Sequence, residues 1–514
     1  MRHVFWCVSL CLLGSGCRVG PDYEPPVSKV ALEFSEDVPE KTFVPQDEDL
    51  VQWWKRFDDP FLNSLLEEAV AGNFDYKIAL EQVIQARATY DVQFAAILPE
   101  IDFDMQGSRF RTSKAFTSAA PPTNTTTTTA TKTGFAAPNT SPSTTTTTTS
   151  TSTTAAAVSP IQDFFQIGFD CVWELDLFGK LRRTATAAYD TWEGAVETSR
   201  DVKITVLSEV ANTYSLVCAA QEQLAVATQI VNADNELLSL SYDRFTSGLT
   251  NEQEVESARS ALEVDKATLQ SYQTQLKSSI YSLAVLLGRE PEQFVDQFLE
   301  KRPLPQAHGK VPAGVPADLL KRRHDIRAAE RQLAAATEQV GVAVAQLYPS
   351  ISLTGSSSSF AANPLQGANV GWSSDKFHKL FKKSARIWGY GALLTMPIFD
   401  FGKRLAGIDA QVAAQHIACL NYEKIVISAL QEVETSLATY FDEEEREKSY
   451  ATSAAADKKN YELTLALFKA GLVDFSQVNQ LKEVWLKDLL TLTSSKQALM
   501  SDLIAVYKSL GGEW

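Results

Sequence analysis

The sequence predicts an α+β membrane protein that combines very long amphipathic helices with a few transmembrane β-strands, on three observations. Proline-free stretches from Ile161 to Glu290 and from Ile398 to Trp514 permit helices longer than a globular domain usually holds. Segments of two-residue alternation lie between the helical stretches. Both features recur along the chain at fixed offsets.

The chain of 514 residues is 45% hydrophobic and 21% charged, enough for several cores, and its formal charge of -16 argues against nucleic acid as a partner. Its start reads as an export signal: Arg2 and His3, then an apolar run from Val4 to Leu13 that is too short to span a bilayer. Gly14, Ser15 and Gly16 precede Cys17, which predicts cleavage after residue 16 and acylation of the Cys17 thiol. Gly14 stands where a lipoprotein box usually has leucine, so cleavage nearby by an ordinary signal peptidase is the alternative. Cys7 and Cys11 fall inside the signal. Cys171, Cys218 and Cys419 are odd in number and lack C-x-x-C spacing, which argues for small buried thiols over a disulfide framework or a zinc site.

Phe178-Gly179-Lys180 recurs as Phe401-Gly402-Lys403, and Phe245-x-x-Gly248-Leu249 as Phe468-x-x-Gly471-Leu472, both at an offset of 223 residues. Upstream, Leu98-Pro99 pairs with Tyr348-Pro349 at an offset of 250, so the first copy carries 27 more residues before Phe178. That interval holds a low-complexity tract, including Thr125 to Thr129 and Thr144 to Thr149, with little to bury. It reads as a surface-exposed loop, open to glycosylation, or as a tolerated expansion.

Lys180 to Thr246 and Lys403 to Lys469 are of equal length, and each would extend about 100 Å if wholly helical. Gly248 and Gly471 follow them and suit the left-handed residue that ends a helix. Asn251 to Leu287 and Asp474 to Leu510 then form return helices, while Pro60 to Ile97 and Asp318 to Gln346 each form a shorter preceding pair of turns or helices. In Phe165 to Leu177 the odd positions are apolar and the even ones mostly polar; Ile101, Phe103 and Met105 alternate with acids and Gln106. Ile351 and Leu353, then Trp388 to Ile398, repeat the pattern. Four such strands cannot close a barrel alone, so oligomerisation is required: two copies give eight strands, three give twelve.

The head CRVGPDYEPP from Cys17, the stretch WELDLFGKLRR from Trp173, the segment Val311 to Ser356 and the end AVYKSLGGEW resemble the TolC/OprM-like outer-membrane efflux proteins, in their lipoprotein branch. The resemblance covers nearly the whole chain outside the threonine tract. It implies a homotrimer with a twelve-stranded transmembrane β-barrel, four strands per protomer, and a long periplasmic α-helical barrel. The mixed equatorial belt would come from the strap, the linker near Pro303 to Pro316 and the C-terminus. The implied partners are a periplasmic adaptor and an inner-membrane pump, commonly of the proton-driven RND type. On this reading the chain has a signal peptide (1–16), a lipid-anchored strap (17–57), a first repeat (58–290) with a Thr-rich loop (113–160), an equatorial linker (291–315) and a second repeat (316–514).

The resemblance also places a periplasmic constriction just after the second glycine turn, where the family often has aspartates. Here those places hold Gln477 and Gln480, with Asp474 before them, which implies a polar gate in place of a strongly acidic one. The alternative for Asp474 is a plain helix cap. His324, where the family usually has proline, is expected to alter only a helix start. An enzyme is disfavoured because His3, His308, His324, His378 and His416 form no ligand pair and no phosphate loop appears; no cofactor is implied. A periplasmic coiled-coil structural protein would leave the amphipathic strands unexplained. The exit duct of a type I protein secretion system shares the fold, and by resemblance alone the expected lipid anchor and the GPDYEPP head favour small-molecule efflux over it.

Overall fold

The computed structural model describes residues 17–26, 42–43, 53–111, 161–298, 300–305, 311–312, 321–353, 368–389 and 391–511. The signal peptide, the Thr-rich loop, most of the strap and part of the linker lie outside the described residues. Two compact units form: one from residues 1–96, 176–348 and 397–514, the other from 97–175 and 349–396.

The first unit is helical. Helix α1 runs Pro60–Gly72 and α2 Phe74–Ala95, a pair of helices within the stretch Pro60 to Ile97, as the sequence suggested. Asn73 separates them by serving both ends: its N–H bonds Ala69 O, its side chain accepts from Tyr76 N, and its amide donates to Leu286 O. Then come α3 (Lys180–Thr246), α4 (Glu252–Leu286), α5 (His324–Ala345), α6 (Lys403–Lys469) and α7 (Phe475–Ser509). Helices α3 and α6 have 67 residues each, and α4 and α7 have 35 each. The core gathers Trp53, Leu62, Leu66, Val210, Tyr214, Leu283, Phe298, Val433, Leu503 and Tyr507. Trp53 stacks on Tyr507 at 5.5 Å, and Tyr214 donates its hydroxyl proton to Asp59, the α1 N-cap, at 2.7 Å. Buried aromatics that keep a hydrogen bond combine large apolar burial with satisfied polarity. A two-residue parallel pair, β1 (Thr42–Phe43) with β4 (Val311–Pro312), ties the strap to the linker.

The second unit is a sheet of β2 (Glu100–Arg111), β3 (Ile161–Leu175), β5 (Ser350–Leu353), β6 (Ala368–Ser374), β7 (Arg386–Gly389) and β8 (Leu393–Thr395). Strand β2 pairs antiparallel with β3 along its full length, Phe103 opposite Phe169. On the other side of β3, Cys171 faces Ala368 and Trp173 faces Leu353, so β6 and β5 take consecutive stretches of one strand position. Likewise β7 pairs with β6 and β8 with β5. The sheet therefore has four strand positions, although Trp388 to Ile398 is not the single strand its alternation suggested. Strand β7 ends at Gly389 and β8 begins at Leu393, with Gly391 between them, a residue that weakens a strand interior. Strand β6 was not foreseen: Gly371 and a run of small residues hide its alternation.

Candidate functional site

The candidate constriction lies at the tip of the second long hairpin. Gly471 takes φ +77°, its N–H bonds Phe468 O at 2.9 Å, and the Leu472 N–H bonds Leu467 O at 3.0 Å, closing the end of α6. Asp474 then caps α7, accepting from Gln477 N at 3.0 Å. Below the turn, Phe475 and Val478 point inward to Leu237, Ala258, Tyr461 and Phe468. Those inward positions turn Gln477 and Gln480 outward with Asp474, and all three are exposed in the single chain. The structure thus brings the three candidate residues onto one short surface, with Asp474 serving as cap as well. Exposed amides there can donate and accept hydrogen bonds but carry no fixed charge.

Arg244, near the end of α3, was missed at the sequence level. Its guanidinium donates to Phe468 O at 3.1 Å, lies over the Phe468 ring at 4.5 Å, and approaches Glu254 to 4.0 Å. It ties the first tip to the C-terminal carbonyls of α6, where a cation is favoured. A signal existed: at the offset of 223 its counterpart is the apolar Leu467.

The candidate lipidation site is Cys17, which is exposed. The residues after it are docked. Val19 N bonds Phe178 O at 3.3 Å, and Tyr23 donates to Glu330 at 3.1 Å. Arg183, fully buried, donates to Pro21 O at 2.9 Å, Gly20 O at 3.1 Å, Asp22 at 3.0 Å and Glu338 at 2.9 Å. Arg18 also reaches Glu338. Gly20 has φ +93°, and a Cβ there would stand 2.7 Å from Gly341 Cα, so the head requires glycine at its closest approach. Among the remaining thiols Cys218 is buried, and burial pushes it up to about 12; Cys171 and Cys419 are only half-buried, contrary to the expectation of buried thiols.

His324 does more than begin α5. It is buried, with Nδ1 2.7 Å from Glu197, whose carboxyl is also paired with Arg327 and Arg200. A proline ring could not make this contact, so the substitution adds a polar link between α3 and α5. No helix among the described residues is long and apolar enough to cross a membrane, and none of their acidic, histidine or cysteine residues cluster as a metal site.

A sequence model described as "Outer membrane efflux protein" matches residues 138–289 and 315–512, most of the chain. The chain belongs to this family. The solvent efflux pump outer membrane protein SrpC of Pseudomonas putida is 28% identical over 523 residues, covering 98% of this chain and 97% of that protein. The cation efflux system protein CusC of Escherichia coli is 25% identical, covering 99% and 98%. A solved structure of the outer-membrane channel OprN superposes with a TM-score of 0.79 at 25% identity, covering 97% of this chain and all of that one. This efflux protein is therefore an outer-membrane channel component and not an enzyme.

Proposed function

We propose that this efflux protein is one protomer of a homotrimeric duct, in which three four-position sheets close a twelve-stranded barrel in the outer membrane and the paired long hairpins, two internal repeats per chain, build a periplasmic helical barrel. One observation carries the reading. Ile101, Phe103, Met105 and Phe169 lie on the apolar face of the sheet and are exposed, while Gln166 and Asp170 on the polar face are buried. Water-soluble half-buried sheets have the opposite arrangement. Among the described residues β2 pairs only with β3, so an edge is left that lipid could not satisfy and a neighbouring copy could.

The duct exports small molecules passively, loaded by a periplasmic adaptor and an inner-membrane pump of the RND type. SrpC and CusC carry solvents and cations in their names at similar identity to this chain, so the duct fold accommodates unlike cargo and the pump selects it. Cys17 carries lipid, and Asp474, Gln477 and Gln480 form the periplasmic constriction.

Mass measurement of the detergent-purified particle tests the assembly: a trimer is expected, and a dominant monomer or dimer would overturn it. Mass spectrometry of the mature N-terminus tests the anchor: an acylated Cys17 is expected, and an unmodified Cys17 or a cut elsewhere refutes it.

A further inference from the structure

One charged cluster is not used by the duct reading. Lys482 on α7 is 1% exposed and Asp234 on α3 is 2% exposed, deep between helices that belong to different hairpins. The Lys482 ammonium donates to Asp234 Oδ1 and, at 2.9 Å, to Asp265 Oδ2 on α4. A lone buried ammonium is strongly disfavoured, which explains the first carboxylate but not the second. With both acids ionised the cluster holds one excess negative charge, with only Asp265 partly in reach of solvent, and Asp234 Oδ2 has no hydrogen-bond donor among the described groups.

A proton shared by the two acids removes both defects. Burial, and after it the hydrogen bond to Asp265, pushes the Asp234 carboxyl up to about 7. Burial acts on Asp265 too, but hydrogen bonds with Asp234 and Lys482 and the lysine charge outweigh it and hold that carboxyl below its usual range. The other ionisable groups near the cluster come from every helix around it. They are Glu236 on α3 and Tyr461 on α6, with Tyr272 on α4 and Glu483 and Lys487 on α7. Tyr461 is raised by burial and by Asp234 and Glu236, so it adds no charge at neutral pH. A cavity of about 480 Å³ between α3, α4 and α7 has Asp265 in its wall and opens to solvent, giving protons a route to the pair.

We propose that Lys482, Asp234 and Asp265 form a proton-linked clasp that holds α7, and with it the face bearing Gln477 and Gln480, against the first long hairpin. Its effect on conduction rests on the duct reading; the clasp itself does not. When α7 leaves, Asp234 is rehydrated and returns toward the ordinary value of 3.8. Between that value and about 7 the clasped arrangement holds a proton that the released one lacks. The clasp is therefore strongest at the acidic side of this window, weakens as pH rises through about 7, and is constant above it. Protonation of Asp265 ends it only at more acidic pH still.

Amide hydrogen exchange of residues 475–490, corrected for intrinsic rates, tests the clasp in the full-length protein. Protection is expected to fall about tenfold between about pH 5.5 and about pH 8.5. Asp234→Asn leaves the Lys482–Asp265 pair neutral across this pH range and should flatten that response. Asp265→Asn, at the less buried acid, should flatten it with less risk to the fold. Lys482→Met leaves two facing carboxyls and should move the midpoint upward, which a purely structural ion pair would not do. A pH-independent wild type, or asparagine variants that keep the full response, would overturn the proposal. Single-channel recordings over the same range should show more frequent opening at high pH. Exchange that tracks pH in a protein that never conducts would sink the duct reading and leave the clasp standing.

Discussion

The two hairpin tips share a backbone and differ in side chains, and the difference separates what builds the turn from what links it. Gly248 and Gly471 have φ of +70° and +77°, each with its N–H on the carbonyl three residues back at 2.9 Å. Asn251 and Asp474 cap the return helices in the same way. The first turn of α4 nevertheless contains Glu252 and Glu254, whereas that of α7 contains no acid. Arg244 reaches from the first tip to the second, while its counterpart Leu467 is a partly exposed apolar side chain. Turn geometry is thus duplicated, and the chemistry at the tips is not.

The largest expected break in this comparison is Arg244→Met. It removes a charge-assisted bond to the α6 terminus and leaves Glu254 half-paired, for a local cost of about 2 kcal/mol. Hydrogen exchange at residues 464–472 should rise accordingly, while Leu467→Met, at the matching place, should change exchange by less than a factor of about two. Equal effects at both positions would mean that Arg244 is no link.

Glycine replacement should affect both tips alike. No atom lies within 4 Å of a Cβ built on Gly248 or Gly471, so alanine meets no clash and suffers only the left-handed backbone, about 1 kcal/mol at each. Local opening measured by exchange across each turn should match. A clearly larger loss at Gly471 would show that the second turn is strained by something the backbone comparison does not reveal. The caps give a similar pair of tests: Asn251→Ala and Asp474→Ala should each cost about 1 kcal/mol. A null result at Asp474 would remove its capping role and leave only the role proposed for it at the constriction.

Much of this organisation was legible in the chain. Absent prolines, Gly248, Gly471 and the caps Asn251 and Asp474 are local signals, and local signals set helix ends. That Pro60 to Ile97 holds a pair of elements was legible, but the place of the break was not, because the role of Asn73 depends on Leu286 O, distant in sequence. Arg183 stood within a recognised motif, but its partners at residues 20 to 22 and 338 meet only in the fold. The Lys482 cluster was invisible for the same reason. Three helices must be in register before one lysine and two aspartates become a buried charge problem. His324 was read as a departure from proline at a helix start, and only packing supplied Glu197 opposite it.

The smallest expected change in stability carries the sharpest functional reading. Gln477 and Gln480 are exposed in the single chain, so replacing them should leave folding within about 0.5 kcal/mol. Their counterparts at the first tip are Glu254, held near Arg244 and hydrogen-bonded by Thr250, and Ser257, so only the second tip offers a pair of free amides. In a trimer the pair becomes a ring of neutral donors and acceptors with no fixed charge to attract cations. Aspartate at both positions should therefore raise cation preference in single-channel recordings. Alanine at both should weaken hydrogen bonds across the ring and raise conductance. The matching double replacement, Glu254→Ala with Ser257→Ala, should loosen the Arg244 link without changing selectivity. If the α7 variants leave both selectivity and conductance untouched, the narrowest point lies elsewhere and the two glutamines serve only to face neighbouring helices.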